Sequence, residues 1–187
     1  MAIQLPSPKE RNLYLASQVD QASINLITKS IIDINGDDEY LGKLYSAHDI
    51  NYIPKPICLY IDSYGGSVYQ CLGLLNIMEK SKTPLHTITT GCAMSAGFMI
   101  AICGHKRFAY ENSTFLYHQV SGGTGGTVKE MEEKIIEVKR LLVSLEEIVL
   151  SKTSISEEQI KNIYETKKDW YITSGEALEL KIIDKII

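Results

Sequence analysis

The chain has 187 residues, 44% of them hydrophobic, with 13 glycines and 5 prolines, which predicts one globular domain with a sizeable core and excludes a disordered or fibrous chain. Its 19 basic and 23 acidic residues are interspersed and sum to −4, which argues against a nucleic-acid or acidic-membrane surface and leaves peptides and proteins as partners. No run approaches the roughly 20 apolar residues of a membrane span, and the first residues lack the apolar stretch of a signal peptide, so a cytoplasmic location is expected.

Residues 1–12 read as a loose polar arm before a first strand over 13–16. Asp20 opens a helix in which Ile24, Ile27 and Ile31 repeat at helical spacing, and Asn35-Gly36-Asp37-Asp38 predicts its end. Residues 37–56 read as a surface excursion with a short helix over 41–45. Ile57-Cys58-Leu59-Tyr60-Ile61 is an apolar run of strand length, expected to be buried on both faces and broken by Asp62-Ser63-Tyr64-Gly65-Gly66. Val68, Cys71, Leu72, Leu75 and Met78 share one face of the next helix, and a strand over 85–90 follows Thr83-Pro84. Gly91-Cys92-Ala93-Met94-Ser95-Ala96-Gly97 then reads as a sharp turn into a buried helix. This βαβα order predicts parallel strands, with Gly65-Gly66 and Ser95 at equivalent strand ends, where open α/β sheets bind ligands.

Two short strands, over 106–110 and 114–117, lead into His118 and the glycine-rich stretch Ser121-Gly122-Gly123-Thr124-Gly125-Gly126. That stretch reads as a lid, or as backbone that something approaches closely, and it lacks the Lys-Ser/Thr of a phosphate loop. Thr127 and Glu130 form a capping box before a long helix with Val128, Met131, Ile135, Val138, Leu142, Leu145 and Val149 on one stripe. Ile136, Leu141, Val143, Ile148 and Leu150 widen the stripe beyond one face, which predicts contact with another subunit. Ser156 with Gln159 starts a shorter helix, 167–172 connects it to a capping box of Thr173 with Glu176, and a strand over 181–187 ends the chain.

Cys58, Cys71, Cys92 and Cys103 lie in apolar runs without a CxxC, and His48, His86, His105 and His118 have no metal-ligand spacing with them, so reduced thiols and neither metal nor cofactor are expected. Ser95 at a strand-to-helix turn suits either a helix cap or a nucleophile beside unpaired backbone N–H groups. A nucleophilic serine needs a base. His118, directly off a predicted strand, is better placed than His105 in a charged turn, His86 at the start of a buried strand or His48 in the excursion. Asp169 before Trp170-Tyr171 suits an acid that orients an imidazole, or a plain partner of Lys167 or Lys168.

Arg11-x-x-Tyr14-Leu15, Tyr60-Ile61-Asp62-Ser63-x-Gly65-Gly66-Ser67, Gly91-x-Ala93-x-Ser95-x-Gly97, His118-Gln119-x-x-Gly122-Gly123, Asp169-x-x-x-Thr173-x-x-Glu176-Ala177 and Ile183-Asp184-Lys185 occur in the order found in the proteolytic subunit of the Clp protease, and from Arg11 to Ile187 the chain resembles that family. The resemblance implies an α/β, crotonase-like fold with βαβ units and a long protruding helix. It implies a Ser-His-Asp triad of Ser95, His118 and Asp169, and an oxyanion hole of the backbone N–H groups of Gly66 and Ala96. It assigns substrate pairing to the strip after His118, namely Gln119, Val120, Ser121, Gly122 and Gly123. Such a strip would add an extended peptide as an extra strand, through backbone bonds with little side-chain selectivity. The resemblance further implies a chamber of stacked homo-oligomeric rings acting on unfolded polypeptides with an AAA+ ATPase unfoldase.

Tyr64 stands where the family has proline before Gly-Gly, Val120 where it has proline after His-Gln, and Met94 and Ala96 flank the serine in altered order. Ten residues before Arg11 are few for the family's axial-gate hairpin, which counts against docking of the ATPase. Competing expectations are a Ser-Lys peptidase of the signal-peptide-peptidase type, which would leave His118 silent, and a non-catalytic ring subunit. The acyl-CoA enzymes that share the crotonase-like fold are a fold-level analogy only.

Overall fold

The computed structural model describes residues 10–123, 125–166 and 168–187; the amino-terminal arm expected over 1–12 lies largely outside them, as do Thr124 in the glycine-rich stretch and Lys167. The elements run β1 (Asn12–Leu15), α1 (Gln21–Ser46), β2 (Ile57–Ser63), α2 (Val68–Lys80), β3 (Leu85–Met94), α3 (Ala96–Ile102), β4 (Lys106–Ala109), β5 (Thr114–Tyr117), α4 (Val128–Lys152), α5 (Glu157–Thr166), β6 (Trp170–Thr173), α6 (Ser174–Glu179) and β7 (Lys185–Ile186). Strands β1, β2, β3, β4 and β7 lie side by side, all parallel. β3 serves two partners along its length. His86 to Thr89 pair with β4, whereas Cys92 to Met94 pair in parallel with β5, which carries β6 antiparallel on its far side. The branch leaves where the β2–β3 register shifts between Ile61 and Ser63, and Asp62 Oδ1 fills the gap by accepting the Cys92 N–H at 2.9 Å.

Ile57, Leu59 and Ile61 of β2 are fully buried in the core with Leu15, Leu74, Phe98 and Ile100. β2 is not buried on both faces as its unbroken apolar run predicts. Cys58 and Tyr60 on the opposite face are half-exposed, and Tyr60 stacks on the exposed ring of Tyr14 with centroids 5.3 Å apart.

The helix from Asp20 does not stop at Asn35-Gly36-Asp37-Asp38 but continues to Ser46, and the short helix expected over 41–45 is its last turn. A glycine in a helix costs about 1 kcal/mol relative to alanine, which tertiary bonds must offset. Ile34 and Leu41 carry the apolar spacing through the polar stretch. The side chains that would have favoured a turn are engaged elsewhere. Asn35 donates to Ile31 O (2.8 Å) and Ser81 Oγ (2.9 Å), and its Oδ1 accepts the N–H groups of Lys82 and Thr83 beyond α2. Asp38 is buried and accepts from both terminal nitrogens of Arg11 (2.8 and 2.5 Å), from Thr83 Oγ1 (2.6 Å) and from the Tyr52 hydroxyl. This cluster ties the excursion and β1 to the helix.

The long helix α4 buries Leu141, Leu145 and Val149, all in its second half, while Leu142 is only half-buried. Its first half leaves Val128, Ile135, Ile136 and Val138 exposed. Residues 170–173, expected as a connector, form strand β6, and the terminal strand shrinks from 181–187 to Lys185–Ile186 because Ile182 and Ile183 fold back on the Ala177 carbonyl. No helix among the described residues is long and apolar enough to cross a membrane.

Candidate active site

Ser95 joins β3 to α3 with φ +53° and ψ −119°, a backbone conformation that costs a non-glycine residue on the order of 1–3 kcal/mol. Two bonds hold it there. Its N–H donates to Leu116 O of β5 (2.9 Å), and its carbonyl accepts the Met99 N–H (3.2 Å) as α3 begins. The hydroxyl makes no cap hydrogen bond to α3, so the reading of Ser95 as a mere helix cap loses its main support. The Ala96 N–H, at the first helical position, has no intrahelical acceptor.

Gly66 faces Val19 in a parallel bridge closed by Val19 N–H to Gly65 O (2.8 Å) and Ser67 N–H to Val19 O (2.7 Å). In such a bridge the central residue's own N–H points the other way. Gly66 has φ +150°, and a Cβ there would collide with the Val19 backbone. The expected pair of donors, Gly66 and Ala96, thus lies on two neighbouring turns.

His118 and Asp169 meet through the β5–β6 ladder. Its last rung pairs Tyr117 with Trp170, and in antiparallel register the next residues outward are His118 and Asp169, side chains to one face. Asp169 Oδ1 lies 3.6 Å from His118 Nδ1, beyond hydrogen-bond length, and its side chain is 55% exposed against 24% for the histidine. The other ring nitrogen, Nε2, is buried without a hydrogen-bond partner. Trp170 was legible as a neighbour of Asp169, but the ladder that aligns the acid was not.

Ser95 and His118 line two adjoining spaces. One is an open cleft of about 340 Å³ bounded by Gln18, Tyr64, Gly65, Gly66, Val120 and Ser121. The other is a recess of about 30 Å³ that reaches between α2, α3, α4 and α5. Leu145, expected in a subunit contact, instead walls the recess. Tyr117 of β5 and Tyr164 of α5 also wall it, and the sequence carried no signal for Tyr164, because α5 shows only a generic amphipathic pattern. Among the described residues no lysine lines either space, which removes support from the Ser-Lys alternative.

Of the strip expected to pair with substrate, Val120 lines both spaces and Ser121 the cleft, whereas half-buried Gln119 lines neither. Residues 118–123 have no regular secondary structure. Gly122 and Gly123 have nothing among the described residues within 4 Å of where a Cβ would stand.

Burial holds the thiols in their neutral form. It raises the pKa of Cys71, which walls the recess and donates to the Ala96 carbonyl at 3.4 Å, and with the hydrogen bond to Asp62 it pushes Cys92 up to about 11.

The family model for the Clp protease matches residues 7–187. The ATP-dependent Clp protease proteolytic subunit of Porphyromonas gingivalis is 29% identical over 180 residues, covering 95% of this chain and 74% of that protein. Subunit 2 of Parasynechococcus marenigrum and subunit 1 of Prochlorococcus marinus are each 29% identical over 181 residues, covering 96% of this chain and 84% and 85% of theirs. The parallel α/β architecture agrees with the crotonase-like fold expected from the resemblance. On a match spanning nearly its whole length, the chain belongs to the Clp protease family.

Proposed function

We propose that the chain is a single-domain serine endopeptidase that hydrolyses unfolded polypeptides through Ser95, His118 and Asp169. The observation that carries this reading is the shared cavity: Ser95, with a hydroxyl unused in capping, and His118, with a buried Nε2 that lacks a partner, face the same space. In the reaction His118 Nε2 takes the Ser95 proton as Oγ attacks the peptide carbonyl, and the Gly66 and Ala96 N–H groups receive the oxyanion. His118 then protonates the leaving amine. Water, deprotonated by the same nitrogen, hydrolyses the acyl-enzyme and regenerates Ser95. Asp169 holds the Nδ1–H and offsets the imidazolium charge, which requires closing the 3.6 Å separation, a tightening common when substrate binds.

The substrate main chain lies in the open cleft against residues 119–123, whose unpaired backbone offers strand-like hydrogen bonds. The exposed apolar first half of α4 serves contacts between subunits in stacked rings in the cytoplasm, where free cysteines stay reduced, and the chamber takes polypeptides that are already unfolded. The non-catalytic ring-subunit reading has one observation in its favour, the exposed Asp169 held 3.6 Å from the His118 ring. Labelling with a fluorophosphonate decides between them. Wild type should be labelled and Ser95→Ala should not; an unlabelled wild type would leave the non-catalytic reading standing.

A further inference from the structure

A peptide carbonyl held between Ser95 Oγ and the N–H groups of Gly66 and Ala96 leaves two spaces for the rest of the substrate. The cleft of about 340 Å³ is rimmed by the backbone of Gly65, Gly66 and Ser121 and suits an extended main chain. The recess is different in size and character. It starts at Ser95, Ala96 and His118, and its walls are Val68, Cys71, Met99 and Leu145, with Tyr117 and Tyr164. Its volume is about 30 Å³, room for roughly one water molecule or methyl group. A leucine or phenylalanine side chain cannot enter without moving a wall.

The walls are held in place. The hydroxyls of Tyr117 and Tyr164 are joined by a 2.7 Å hydrogen bond. The Tyr117 ring packs on fully buried Phe98 at 5.4 Å between centroids and on Tyr164 at 6.3 Å, so three rings from α3, β5 and α5 brace one another. Swinging Tyr164 aside would break the hydroxyl bond and leave the buried Tyr117 hydroxyl without that partner. Burial raises the pKa of both phenols, which keeps both hydroxyls protonated, one donating to the other. Cys71, the remaining polar wall, has its thiol directed to the Ala96 carbonyl. Apart from His118 at its mouth, no described residue lining the recess is a charged type.

We infer that the Tyr117–Tyr164 pair closes the pocket for the residue on the acyl side of the scissile bond, so that the protein cleaves after alanine, serine or glycine and rejects leucine, methionine and phenylalanine there. The inference rests on the serine-peptidase reading and narrows it, because backbone pairing along residues 119–123 by itself predicts no such preference. Tyr164 acts as a specificity-determining residue without touching the reacting atoms.

The test uses two fluorogenic peptides, and two matching aminoalkyl phosphonate probes, that differ only in alanine or leucine at that position. Wild type should show kcat/KM for the alanine peptide at least about tenfold above that for leucine, the scale on which a pocket discriminates by a methylene or more. Tyr164→Ala should bring the ratio to parity or reverse it, Tyr164→Leu should lower it, and Tyr164→Phe, which keeps the ring and loses the hydroxyl, should retain the alanine preference. A wild type that takes leucine as well as alanine, or a ratio unchanged in both Tyr164→Ala and Tyr164→Leu, overturns the inference while Ser95 labelling leaves the peptidase reading intact. Failure of both probes to label Ser95 overturns the peptidase reading and the pocket assignment together.

Discussion

Gly65 backs directly onto Ser95: a Cβ added to the glycine would stand 2.8 Å from the Cβ of the serine, 2.6 Å from Met94 O and 2.9 Å from Ala96 N. The end of β2 therefore forms the rear support of the strained turn. With φ +94° at Gly65, alanine is strained as well as obstructed. Gly65→Ala should destabilise the fold by about 2 kcal/mol or more and abolish fluorophosphonate labelling of Ser95. Urea denaturation alongside labelling checks this, and a variant with unchanged midpoint and labelling would contradict the account of the turn.

In the proposed mechanism the ladder that brings Asp169 opposite His118 makes the two act as one unit with Ser95. His118→Ala should reduce peptide hydrolysis about as far as Ser95→Ala, and adding Asp169→Asn to either should cost little more. Asp169→Asn alone should lower kcat by at least about a hundredfold with the fold intact, since the amide cannot offset the imidazolium charge. Single-turnover rates for the three single and two double variants give the answer. Strictly multiplicative losses would mean that Asp169 serves stability and not the histidine.

Acid stability should report on Asp38. Burial alone would raise its pKa, but hydrogen bonds from Arg11, Thr83 and Tyr52 outweigh burial and hold it below the ordinary carboxylate range. A group depressed in the folded state contributes stability at pH values above its unfolded pKa of about 4, and that contribution is lost as pH falls through the folded value. Asp38→Asn leaves the Arg11 guanidinium buried without its counter-charge and should cost about 3–5 kcal/mol at neutral pH. The difference from wild type should shrink toward about pH 3. A gap in urea midpoint that stays constant down the acid limb would show that the carboxylate is not the source.

Assembly should depend on the exposed half of α4 and not on its buried half. Ile135 and Ile136 are 48% and 68% exposed, so Ile135→Asp with Ile136→Asp costs the isolated subunit little, while charges in a subunit contact weaken it strongly. Light scattering should find smaller particles, and activity on unfolded protein should fall. Unchanged particles would remove α4 from the contact. Leu145→Asp is a poorer probe, because Leu145 walls the recess beside Ser95.

Elements whose signal is local were readable from the sequence. Thr127 with Glu130 and Thr173 with Glu176 form the two reciprocal caps expected, Ser156 and Gln159 pair in the same way, and the Ser95 turn lies between a strand and a buried helix. What failed was decided by distant partners. Asn35-Gly36-Asp37-Asp38 has the composition of a stop, yet Asn35 and Asp38 bond to residues 27 to 48 positions away in sequence, and the helix runs on. Trp170 to Thr173 are all residue types that strands favour, but four residues are too few to stand out from a connector, and the ladder that makes them a strand comes from distant β5. The candidate site residues stood out because their order matched a family, whereas the Tyr117–Tyr164 bond joins residues 47 apart and leaves no trace in spacing.

Among the described strands β6 is hydrogen-bonded to β5 alone, whereas β3, which leads into Ser95, lies between β2 on one side and β4 and β5 on the other. Backbone amides of β6 should therefore exchange with deuterated solvent well before those of β3, since an edge strand of four residues opens without disturbing the sheet centre. Asp169 stands at the start of that strand. Its carboxylate can leave the histidine on the timescale of edge fraying while the Ser95 turn stays shut, so the two ends of the proposed relay differ in local lifetime.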